Sequence, residues 1–301
     1  MICLRIFLIK NRKRLTVTVC IIRELNRKFG KRTSDKLKKS KMTCFAALLL
    51  IVPSFYITSL IRTCMNANEP SMINIYSKET FFGWYSNNTL VTLILFLTFD
   101  IAMLLQFYVL PGFCAIFCIY SFEIMNQGIS LFRNKLFSSH ERGFEHFVRC
   151  YETYTSKIFF CISHLEHDLS LILTLLQGYL TWNIFYTTSY LAKHGVRVME
   201  VFAALTDIAS LCITAFIYLC LNLSAAKIHD SAVGVKNSVF RIIADNASTD
   251  EERCSLILEM AAEFPSKVVI TGWKLFPCKR GIILKTAGAV FTYGVILAQI
   301  G

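Results

Sequence analysis

Two groups of side chains have types and spacing that chemistry could use. The first is His164-Leu165-Glu166-His167, with Asp168 beside it. Imidazoles three apart on a helix share a face, and metal centres take such ligands together with carboxylates. Membrane di-metal oxidases use repeated His clusters, but the chain has 6 His and no second cluster. The expectation is therefore a polar rim at a membrane boundary. Cys114 and Cys118 also share a helix face, yet no His or carboxylate joins them to make a ligand set. A Ser/His/Asp constellation, a Gly-rich phosphate loop and a CxxC pair are all missing from the sequence. Nothing points to an enzyme, a metal or a cofactor.

The second group is Asp100 and Asp207, each inside an apolar stretch. A carboxylate within a bilayer is costly and faces a bundle interior or a wet cavity. Two readings stay open: a ligand cavity reached from outside, or a structural hydrogen bond to a Ser, Thr or Tyr on a neighbouring helix.

The elements that would hold these groups follow from composition. Hydrophobic residues make up 54% of the 301 residues and charged ones 17%, where a soluble domain carries about 25% charged. The missing charge is concentrated in long apolar runs, and about 18 apolar residues suffice to span. Five candidate spans emerge, near 44–61, 90–120, 169–191, 201–223 and 281–301. The expected fold is all-α, a polytopic transmembrane helix bundle whose long helices extend into the cytoplasm.

Most of the net charge of +12 lies in one block. Residues 11–42 hold 12 Lys or Arg against Glu24 and Asp35. No nucleic-acid readout motif accompanies the block, so a cytoplasmic segment over 1–42 beside the lipid bilayer is expected, and no nucleic-acid partner. The apolar stretch 1–10 is too short to span by itself and is read as the remnant of a preceding span. Residues 43–301 then form the transmembrane domain.

Successive loops carry 14, 2, 5, 2 and 8 Lys or Arg, counted over 1–42, 62–89, 121–168, 192–200 and 224–280. With five spans the rich loops share one side, as the positive-inside rule requires. Six spans, with a hairpin at Pro111, would mix them, so the second span is expected to be one long, kinked helix. The amino end is then cytoplasmic and the carboxyl end extracellular. Of three sequons, Asn87 lies outside and is the glycosylation candidate; Asn222 and Asn246 lie inside and stay unused. The cysteines sit mostly in apolar runs and show no disulfide framework.

The inner segments read as helical. Phe144, Phe147, Tyr151, Tyr154, Ile158 and Ile162 recur at helical spacing. Ser248 and Thr249, each with Glu three residues on, form capping boxes. Leu256, Met260 and Phe264 then give an apolar face expected to break at Pro265.

The last span ends in Thr292-Tyr293-Gly294-Val295-Ile296-Leu297-Ala298-Gln299-Ile300. One amide among apolar residues suits a pore wall, where hydrophobic constrictions gate by dewetting. Thr292, Tyr293 and Gln299 in this spacing resemble the TYhhhhhQF signature that closes the last helix of arthropod gustatory receptors, relatives of insect odorant receptors. Thr271-Gly272-Trp273-Lys274-Leu275-Phe276, Lys279-Arg280 and the topology are similar as well. The resemblance covers about 44–301, and its specific motif is nine residues. Ile300 stands where the motif has Phe, Gly294 replaces a large apolar residue, and the family has two more spans than are visible here. The resemblance therefore implies that the first two spans are missing.

It further implies a chemosensory (gustatory) receptor subunit, a ligand-gated cation channel of the plasma membrane in which four subunits surround the last span. Ile296, Gln299 and Ile300 would form the constriction, Tyr293 would support it, and Asp100 and Asp207 would lie near the ligand. The partners would be a small-molecule tastant or odorant and other receptor subunits. The alternatives are a G-protein-coupled-receptor-like or transporter-like protein. The extracellular carboxyl end opposes the former, and the lack of internal repeats opposes the latter.

Overall fold

A computed structural model describes residues 2–28, 43, 47, 94, 98, 99, 101, 102, 104–198, 201–245, 251–272, 275–278 and 280–300. The candidate span 44–61 lies almost wholly outside these residues, as do Asn87, Asp100 and Asn246. Six α-helices carry the described fold: α1 (Ile2–Lys28), α2 (Leu110–His140), α3 (Phe144–Val198), α4 (Val201–Ala244), α5 (Glu251–Lys267) and α6 (Arg280–Ile300). A π-helical turn, Leu105–Val109, leads into α2. A two-residue pair of strands, β1 (Thr271–Gly272) and β2 (Phe276–Pro277), runs antiparallel just before α6.

Among the described residues, three helices are long and apolar enough to cross a membrane, over Leu110–His140, Phe144–Leu191 and Leu205–Ala244. The bundle is thus the all-α transmembrane fold expected. Pro111 falls in the first turn of α2, where its missing N–H costs least. The wider π turn directly before it takes up the mismatch in the hydrogen-bond ladder. The chain is helical on both sides of Pro111, so no hairpin forms there.

α2 and α3 make a long helical hairpin. Its turn needs Gly143, whose φ of 117° is left-handed territory that a side chain resists. Gly143 N–H caps His140 O at 2.9 Å, and α3 begins immediately after it. The aromatic stripe read from the sequence is the seam of this hairpin: Phe147, Tyr151, Ile158 and Ile162 are buried. Phe132 of α2 stacks on Tyr151 at 6.2 Å, and Phe264 of α5 closes on Phe159 at 5.4 Å.

α5 corrects two expectations. Its buried face is Cys254, Ile257, Ala261 and Phe264, whereas Leu256 is 56% exposed. Phe264 is buried as expected and Met260 is half-buried against the core, so the expected stripe fails only at Leu256, whose place Ile257 takes. The helix also runs through Pro265 to Lys267. Pro265 still interrupts the hydrogen-bond ladder only by its own missing N–H, and its carbonyl meets His229 Nδ1 of α4 at 3.1 Å.

The basic segment, read only by its charge, contains α1. Leu15, Thr18, Ile22 and Leu25 are buried on one face of it, a stripe at helical spacing. That face packs on α2 and α3: Asn26 Nδ2 donates to Ile124 O at 3.0 Å, and the Thr18 hydroxyl donates to Asp168.

Candidate functional site

α6 carries the motif residues and is held by a short series of polar ties. At its start Arg280 pairs with Asp230 of α4 at 2.7 Å. Just before it, Cys278 N–H donates to Ile270 O at 2.9 Å, closing the strand pair. Gly272 is required in that pair, because a Cβ there would come within 2.4 Å of the Phe276 ring. Burial pushes the Cys278 thiol up to about 12, so it stays neutral and unreactive at ordinary pH.

Behind this entry lies a buried amide pair. Gln177 Nε2 of α3 donates to Asn222 Oδ1 of α4 at 2.7 Å, and Asn222 Nδ2 donates to Tyr218 O at 2.9 Å. Asn222 is fully buried, which leaves its sequon closed to a glycan in the folded chain. One turn away, the Tyr218 hydroxyl bonds Thr286 of α6 at 2.7 Å. Farther along, Tyr293 meets Phe185 of α3 edge-on at 6.1 Å. The Arg280–Asp230 pair, the Tyr218–Thr286 bond and one aromatic contact thus fix how α6 leans on the bundle.

Several positions along α6 nonetheless stay exposed among the described residues. Leu284 is 76% exposed, Tyr293 57% and Ile296 41%. The Thr292 hydroxyl folds back to Gly288 O at 2.8 Å, satisfying itself within the helix. Gln299 and Ile300 belong to the last turn of α6, but their side chains lie outside the described residues, as does Asp100. Asp207 is half-buried in the second turn of α4.

Sequence reasoning missed Tyr108. It sits in the π turn beside Tyr179 of α3, and its buried hydroxyl has no hydrogen-bond partner among the described residues. A buried hydroxyl left unmade costs about 1–3 kcal/mol, and π turns recur at functional sites. Pro111, which the sequence flagged as a kink, was the available signal. The two-imidazole cluster is divided: His164 and His167 are exposed, while Asp168 is buried against Thr18 and 3.0 Å from His167 Nδ1. Among the described residues no group of three His, Cys, Asp or Glu is placed to hold a metal.

Fold and site together define a polytopic transmembrane helix bundle whose helix α6 stays partly exposed among the described residues. The chain is similar to the insect olfactory receptor OR5 from Machilis hrabei, solved in complex with eugenol. The two are 14% identical with a TM-score of 0.50, over 96% of this chain and 80% of that one. At that identity the likeness is one of fold. No family model matches the chain, and no curated protein matches it.

Proposed function

We propose that the chain is a chemosensory receptor subunit, of the gustatory type by its Thr292-Tyr293…Gln299 ending, acting as a ligand-gated cation channel. The observation that carries this reading is the olfactory-receptor fold extending over 96% of the chain. The exposure of Ile296 on α6 supports it, since a pore-lining helix must keep residues free for neighbouring subunits and for ions. Four subunits around α6 would turn Ile296 and Ile300 into apolar rings, with Tyr293 behind them. A ring too narrow for hydrated ions blocks conduction, because stripping a cation of water is expensive. The Gln299 amide would replace part of that hydration once the ring widens.

The ligand would be a small organic molecule, as eugenol is for the structural neighbour. Asp100, Asp207 and the unpaired Tyr108 hydroxyl are the polar groups proposed for its cavity. The amino end would be cytoplasmic, and Asn87 would be the glycosylated sequon. An epitope tag after Gly301 should stain intact cells; staining only after permeabilisation would reverse the orientation.

The test of function is electrical. Expressed in cells without added G protein, the chain should give tastant-evoked cation current. Responses that vanish when G-protein signalling is blocked would favour the G-protein-coupled alternative. Asp207→Asn keeps shape but removes charge, and it should shift the dose–response curve while surface expression holds. An unchanged curve would leave Asp207 a structural hydrogen-bonding group.

A further inference from the structure

The face of α1 turned toward the start of the apolar part of α3 forms a cleft of about 560 Å³. Lys13 and Arg14 line it from α1, and Ser163, His164 and His167 line it from α3. Lys13 and Arg14 are exposed, and neither has an ion-pair partner among the described residues. One carboxylate borders the cleft, that of Asp168, and its charge is already engaged. It accepts the Thr18 hydroxyl on one oxygen and lies 3.0 Å from His167 Nδ1 on the other. The cleft therefore presents two cations, two imidazoles and a hydroxyl, with its single carboxylate hydrogen-bonded from within.

Its level in the bundle is equally specific. Thr18 bonds Asp168, while Ile9, Leu15 and Ile172 line a neighbouring apolar groove, so α1 runs antiparallel to α3. The apolar residues of α1 before Lys10 thus lie alongside the apolar part of α3 that begins at Leu169. α3 changes from polar to apolar at the level of Thr18, and the basic run of α1 from Lys10 to Arg14 lies within about two turns of that level, close to where a bilayer gives way to water.

We propose that this cleft binds a phosphate monoester group at the bilayer surface, carried on a phosphorylated inositol lipid or its soluble headgroup. A monoester brings close to two charges and three acceptor oxygens, matching a guanidinium, an ammonium and hydroxyl or imidazole donors. A cleft of this size also has room for a phosphorylated ring, which a singly charged phosphodiester headgroup would fill less well. Clusters of basic residues next to a span attract anionic lipid in general. What this cleft adds is a partly open hollow on one side of α1, bordered by α3.

The experiment uses the full chain in nanodiscs of neutral lipid, titrated with a fluorescent short-chain phosphatidylinositol bisphosphate. Binding should saturate. Lys13→Gln and Arg14→Gln should each weaken it about 5-fold and together about 30-fold, following the roughly 1 kcal/mol that a basic group contributes near anionic lipid. Arg12→Gln is the internal control: it removes the same charge from the same turn, but Arg12 lines the opposite groove. It should change binding less than 2-fold on the same scale. All three positions are exposed, so thermal melting should not move. Competition by soluble inositol trisphosphate at equal concentration would assign the site to a free headgroup. Competition by the lipid alone would assign it to the bilayer. Equal losses for Arg12→Gln and Arg14→Gln, equal competition by phosphatidylserine, or binding that never saturates would overturn the proposal.

Discussion

The α2–α3–α5 hub and the terminal helix α6 are built on opposite plans. In the hub Phe132, Phe147, Tyr151 and Phe264 are all fully buried, each against other rings. Such a region is stabilised by apolar area and dense packing, and it tolerates little change. α6 touches α3 and α4 at discrete ties, one of them the Tyr293–Phe185 ring contact, while Leu284 and Ile296 stay exposed among the described residues. A hub of this kind fixes a fold, whereas a helix tied at a few polar points can lean without unfolding anything. Stability and function should accordingly separate along the chain.

The sharpest test of that separation is in the hub. Phe264→Ala should destabilise the purified chain by about 3–5 kcal/mol, as truncating a fully buried ring does, read as a large drop in melting temperature in detergent. Ile296→Ser should leave the melting temperature nearly unchanged. Comparable losses for both would erase the distinction between the two regions.

The junction between them should respond less strongly. Asn222→Ala strands the Gln177 amide in the bundle and should cost about 1–3 kcal/mol. Because the same pair backs Tyr218 and its bond to Thr286, it should also alter α6 behaviour. A stability loss with unaltered agonist response would make the amide pair purely structural. Arg280→Gln should have the smallest effect. Arg280 and Asp230 are 71% and 45% exposed, so the pair contributes about 0–1 kcal/mol and fades in high salt. A salt-independent loss larger than the Asn222 effect would show the tie to be more buried in the membrane than in the isolated chain.

The same contrast governs what could be read from sequence. The hub was legible because its residues repeat locally: Phe147, Tyr151, Ile158 and Ile162 announce a buried face by spacing alone. On α5 the pattern marks Phe264 correctly but Leu256 in place of Ile257, since those two are equally apolar and only the partner helix decides between them. α1 was obscured by its charge, although Leu15, Ile22 and Leu25 carry the period of a packed helix. Pairings such as Thr18 with Asp168, 150 residues apart, or Gln177 with Asn222, leave no local trace. The motif residues of α6 were visible as a pattern, but the polar ties that orient it were not, because each tie joins α6 to a different part of the chain.

The most direct test of the proposed channel role is basal current recorded from Ile296→Ser beside Val295→Ser, at matched surface expression, in a background where the chain conducts. If α6 lines the pore, a hydroxyl at 296 wets the apolar constriction and raises current without ligand, while a hydroxyl at 295, off the Tyr293–Ile296–Ile300 stripe, leaves it unchanged. Equal currents from the two variants would show that α6 does not form the gate.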